Sequence, residues 1–125
     1  MLVEPSGSRD GKPTDSIALI GSFSHVEIAR SITQRLIGLI GRGRIAPGTA
    51  FVIPGCRQVH TFFMRFAIDV IHVDREWRVV CVRRNLVPWR IGPYCPKSAY
   101  AIEVPAGAAS EVEVGDILRS EDSTD

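Results

Sequence analysis

Residues 60–74 read HTFFMRFAIDVIHVD. This is the longest nearly unbroken apolar passage of the chain, and it carries three polar residues that fit it poorly: His60, Arg65 and Asp69. At the strand period of two, His60, Phe62 and Met64 fall on one face and Thr61, Phe63 and Arg65 on the other. Beyond Phe66-Ala67, Ile68, Val70 and His72 share a face, with Asp69, Ile71 and Val73 opposite. Neither half alternates apolar-in, polar-out. The expectation is a central strand, or two strands across a bend, covered on both sides. Asp69 then lies among β-branched neighbours and must be paired, hydrogen-bonded or protonated. Arg65 is the nearest cation in sequence, but four residues of straight strand span roughly 13 Å. Either the chain bends at Phe66-Ala67, or Asp69 has a distant partner.

On either side of this stretch the chain reads as short strands with Gly and Pro punctuation. Ser16 to Ile20 and His25 to Ala29 suggest a first hairpin, and Ala50 to Ile53 a strand closed by Pro54-Gly55. Asp74-Arg75-Glu76 turns the chain, so Trp77 to Val82 is expected as a hairpin partner. Arg83 to Pro96 reads as a Pro-rich irregular loop, with Trp89 as a candidate wall. Ser98 to Val104 alternates, placing Glu103 opposite the apolar face and toward solvent. Val112 and Val114 continue the pattern, and Ile117-Leu118 follows the Gly115-Asp116 turn. One helix stands out at 31–40: Ser31 and Gln34 form a capping box, and Ile32, Leu36, Leu39 and Ile40 make one stripe. The expected fold is mainly β: a single-domain sandwich or barrel-like fold with that one helix. Its limits are expected at 16–119, between polar tails at 1–15 and 120–125.

A chain of 125 residues suits one domain. No run approaches the ~20 apolar residues of a membrane span. The N-terminal segment has no apolar core, so no signal peptide is expected. The three cysteines lack CxxC spacing, and reduced thiols in the cytoplasm are the default expectation. From Arg30 to Lys97 there are 12 basic and 3 acidic residues, and arginine outnumbers lysine 13 to 2 in the whole chain. Arginine favours planar, bidentate anion recognition. Charge alone does not single out nucleic acid, because arginines on successive strands point in different directions.

The candidate chemistry is sparse. Cys56 and His60 could form a nucleophile–base couple or half a metal site. No third orienting group and no four-ligand spacing accompany them, so no metal and no cofactor is expected. Asp69, Glu103 and Asp116 are candidate acid–base carboxylates, with Arg35, Arg42 and Arg65 as neutralising cations. Arg42 also lies in a Gly-Arg run, where a helix C-cap or an anion nest is the choice.

Four motifs in order resemble the small prokaryotic family catalogued as domain of unknown function 192. They are RLIGLIGR (Arg35–Arg42), GTAFVI (Gly48–Ile53), the 60–74 stretch itself, and AIEVPAG (Ala101–Gly107) with VGD (Val114–Asp116) closing the chain. The sequence departs from the family pattern at Ile40, Phe63, Arg65 and Ala67, which stand where methionine, tryptophan, lysine and proline are usual. The resemblance implies a sandwich-like, mainly β fold with one short helix. It places Arg35, His60, Arg65, Asp69, Glu103 and Asp116 among the family's polar positions, and it implies no activity. The expected function is a non-catalytic binding or accessory module for a small polar or anionic ligand, or for a partner protein, near His60, Arg65 and Asp69. A hydrolase or transferase using Asp69, Glu103 or Cys56–His60 is one alternative, and nucleic-acid binding by the Arg-rich middle another.

Overall fold

The computed structural model describes residues 2–4, 25–28, 45 and 47–119. Seven strands run through them: β1 (Leu2–Glu4), β2 (His25–Ile28), β3 (Thr49–Pro54), β4 (Ile68–Val73), β5 (Val79–Leu86), β6 (Tyr100–Pro105) and β7 (Ile117–Arg119). Five form one sheet in the order β2-β3-β6-β4-β5, and β1 pairs with β7 in a two-stranded ribbon. The β2–β3 pair is parallel; the other pairs are antiparallel. The class is mainly β, as expected. The expected polar tail at 1–15 thus begins with three residues that pair with β7. The expected helix at 31–40, the 16–20 strand and the 120–125 tail lie outside the described residues.

β4 is an interior strand, with all six residues buried. Its β-branched side chains suit a pleat covered on both sides. Ile71 and Val73 join Ala50, Val52, Ile102, Val104 and Leu118 in one apolar cluster. Ile68 and Val70 join Phe51, Met64, Leu86 and Ala101 in another. These sets alternate along β3, β4 and β6, so the sheet carries a core on each face. Each such aliphatic side chain contributes about 1.5–3 kcal/mol on full burial.

Three local expectations need correction. Residues 60–67 form no strand; only His60 bridges to Ile91. Phe63 takes φ 69°, and Met64 N–H closes a turn on the Thr61 carbonyl at 3.1 Å, a geometry no pleat accepts. β5 runs on to Leu86, because register irregularities against β4 keep the pair going past Arg83-Arg84. It is an edge strand and ends before Pro88. Val112 and Val114 lie outside strands, in the segment that turns from β6 back toward β7; Val112 is buried and Val114 exposed.

Candidate functional site

Asp69 is 1% exposed on β4. Its Oδ1 accepts the Asn85 N–H at 2.8 Å. Its Oδ2 accepts the N–H groups of Gly107 at 2.9 Å and Ala109 at 3.0 Å. Among the described residues no cation compensates it; three backbone donors do. Asn85 has φ 54° and Gly107 φ 94°, so the carboxylate pins two left-handed turns, from β5 and from the segment after β6. Arg84 completes this collar by donating to the carbonyls of Ala109 and Val112.

Glu103 is fully buried, which corrects the expectation that it faces solvent. Its register partners are Val70 on β4 and Phe51 on β3, and it shares their face. Alternation implies a wet face only when one side of the sheet is bare, and here both faces are covered. Asp69 sits opposite Val104, so the two carboxylates point to opposite sides of the sheet. Asp116 is buried beside the Gly115 turn, and its Oδ2 accepts the Glu113 N–H at 2.9 Å. Arg35 and Arg42 lie outside the described residues.

His60 and Arg65 belong to a different surface. The His60 ring stacks on Phe62 at 5.0 Å, and its Nδ1 accepts the Phe62 N–H. Phe62 and Phe63 lie 6.1 and 4.8 Å from Trp89. Phe63 is 61% exposed and Trp89 55% exposed, and both have positive φ, 69° and 65°. Arg65 and Arg90 are exposed on the same two segments. Buried Thr61, absent from the sequence-derived candidates, joins those segments. Its hydroxyl donates to the Val87 carbonyl at 2.6 Å and accepts the Arg90 N–H at 3.0 Å. Its carbonyl accepts the Trp89 N–H, and its own N–H donates to the Arg90 carbonyl, both at 2.9 Å. A lone threonine in an apolar run gives no sequence signal for such a role.

The cysteines correct another expectation. Cys81 and Cys95 form a disulfide, with Cα atoms 6.5 Å apart, and Cys56 is not part of it. The spacing of 14 residues looked arbitrary because the loop after β5 brings Cys95 back to its start. Cys56 Sγ donates to the Gln58 carbonyl at 3.3 Å, as a local turn contact. Next to this staple, Ser98 Oγ donates to the Cys56 carbonyl at 2.8 Å and lies 2.9 Å from His72 Nδ1. That network assigns the proton of His72 to Nδ1. Burial pushes the His72 pKa below its ordinary 6.5, against an opposing hydrogen bond to the Cys56 backbone.

Comparison with known proteins agrees with this frame. The family DUF192 (Uncharacterized ACR) matches residues 17–120. A UPF0127 protein of Pyrococcus abyssi is 44% identical over 101 residues, covering 73% of this chain and 81% of the relative. One from Pyrococcus horikoshii is 37% identical over 102 residues, covering 75% and 85%. A solved protein of unknown function from Novosphingobium aromaticivorans superposes with TM-score 0.66 at 20% identity, covering 75% of this chain and 73% of its own. A solved chain from Sinorhizobium meliloti gives the same TM-score at 24% identity, covering 75% and 79%. At such identities the two structures share the fold alone. The chain belongs to DUF192. Among the described residues no helix is long and apolar enough to cross a membrane.

Proposed function

We propose that this member of DUF192 is a non-catalytic binding module that holds a segment of a partner protein on the aromatic–arginine face built from residues 60–66 and 87–91. One observation carries the reading: Phe63 and Trp89 both occupy the left-handed region while both rings stand in solvent. Such a backbone costs about 1–3 kcal/mol per residue. Folding gains little from straining two positions to expose two large rings. A partner that covers the rings recovers that cost. Exposed Arg65 and Arg90 beside the rings favour a segment with acidic residues flanking an apolar or aromatic one. The non-catalytic part is supported by Asp69, whose oxygens are both engaged by backbone donors, and by Glu103 on the other face.

The test uses the full chain and three immobilised peptide sets, acidic–aromatic, neutral–aromatic and basic–aromatic. The acidic set is expected to bind, more weakly as salt rises, and to shift the emission of exposed Trp89 to the blue. Trp89→Ala and the Arg65→Ala/Arg90→Ala pair each weaken binding about tenfold or more. Absence of binding by the acidic set, or equal binding by these variants, refutes the proposal.

A further inference from the structure

At the other end of β4 lies a cleft of about 820 Å³, lined among others by Arg57, Asp74, Arg75, Glu76, Lys97 and Tyr100. We infer that it is a binding site for a small oxyanion ligand of metabolite size, one bearing phosphate or carboxylate groups and at least one hydrogen-bond donor.

The inference begins with charge. Three cations face the cleft, and among the described residues no ion pair or side-chain hydrogen bond engages Arg57, Arg75 or Lys97. Of the two acids, Asp74 has one oxygen occupied: Oδ1 accepts the N–H groups of Glu76 at 2.9 Å and Arg78 at 3.0 Å. The three cations outnumber the two carboxylates by one, and the charge of Asp74 is turned toward its own turn. Arg57, Arg75 and Lys97 are exposed, so this excess attracts an anion from solvent. Arginine's planar fork matches the edge of a phosphate or carboxylate, and lysine adds a point charge. Glu76 remains to accept a hydroxyl or amino donor of the same ligand.

The second part is the frame. Each cation rises from backbone that is already fixed. The Arg57 carbonyl accepts the Cys95 N–H at 2.8 Å. The Arg75 turn is held by the Asp74 carboxylate and by Trp77 N–H on the Asp74 carbonyl at 3.0 Å. Lys97 sits between Cys95, held in the disulfide, and Ser98, whose hydroxyl ties the segment after β3 to β4 and β6 through Cys56, His72 and Tyr100. Gly55 N–H donates to the Ala99 carbonyl and Ala99 N–H to that of Val73, both at 2.7 Å. Tyr100 stacks flat on buried Trp77, with centroids 4.6 Å apart and planes 8° off parallel. A site whose walls do not move on binding keeps more of its interaction energy. The volume suits a metabolite-sized molecule rather than a bare ion.

This site is independent of the aromatic face. The test is a thermal-shift titration of the oxidised full chain with inorganic phosphate, and separately with malonate, against chloride at equal ionic strength. A saturable rise in Tm with either oxyanion is expected, with amide NMR shifts confined to 55–57, 74–76 and 96–100. The arm that responds more strongly assigns the phosphate or the carboxylate class. Arg57→Gln, Arg75→Gln and Lys97→Gln each weaken the response about tenfold, and the triple variant loses it. Trp89→Ala leaves it intact, so the two sites fail separately. No saturable response to either anion, or an undiminished one in the triple variant, overturns the inference.

Discussion

Replacing Asp69 by Asn is the sharpest test of how the fold holds its buried charge. The carboxylate accepts three backbone N–H groups at 2.8–3.0 Å. An amide offers one oxygen. In its better orientation that oxygen keeps Gly107 and Ala109 and turns an NH₂ group against the Asn85 N–H. One hydrogen bond to a charged acceptor is lost, at about 1.5–3 kcal/mol, and the half-buried Asn85 N–H is left unmatched. The two that remain weaken as they lose charge assistance, about 1 kcal/mol more together. The sum is about 2.5–4 kcal/mol. At roughly 4 °C per kcal/mol for a chain of this size, Tm falls by about 10–15 °C. Urea unfolding followed by near-UV circular dichroism measures the loss. Hydrogen exchange at the Gly107 and Ala109 amides localises it. Arg65→Gln serves as the control and is expected to stay within about 0.5 kcal/mol, because Arg65 is exposed. A loss below 1 kcal/mol for Asp69→Asn, or a matching loss for Arg65→Gln, refutes the backbone-donor account and restores a cationic partner.

Thr61→Val keeps the volume but removes the hydroxyl that serves Val87 and Arg90. A loss of about 1–3 kcal/mol is expected, with faster amide exchange confined to 87–91; a neutral result shows that Thr61 does not hold the aromatic face. Cys81→Ser/Cys95→Ser opens a loop of 14 residues' separation, worth about 3 kcal/mol. Urea midpoints of the wild type with and without reductant should differ to match, and coincident midpoints would speak against the bond. For His72 the sign follows from burial: the folded pKa lies below 6.5, so the unfolded chain binds the proton more readily. Stability is therefore full above about pH 6.5 and falls as pH drops below it, by up to ~1.4 kcal/mol per unit until the folded pKa is reached. An NMR titration of the His72 ring with a midpoint at or above 6.5 would reverse this.

Several features were legible in the residues because they are local. The continuous apolar run with its β-branched content marks the strand β4, and the Asp74-Arg75-Glu76 turn marks the β4–β5 hairpin. The absence of a polar face on 68–73 already implied cover on both sides. Glu103 went astray because alternation tells which residues share a face, and not whether that face is wet.

The sequence alone determined the mainly β class, the interior strand with its embedded acid, and the need of that acid for a partner. Only the tertiary structure decided who the partner is. The donors stand 16, 38 and 40 residues away, and the register of β4 against β5 and β6 delivers them. The disulfide, the Thr61 clasp and the gathering of Arg57, Arg75 and Lys97 on one cleft have the same origin. Periodicity reports the environment a residue needs, while the partner that supplies it depends on how distant segments are brought together.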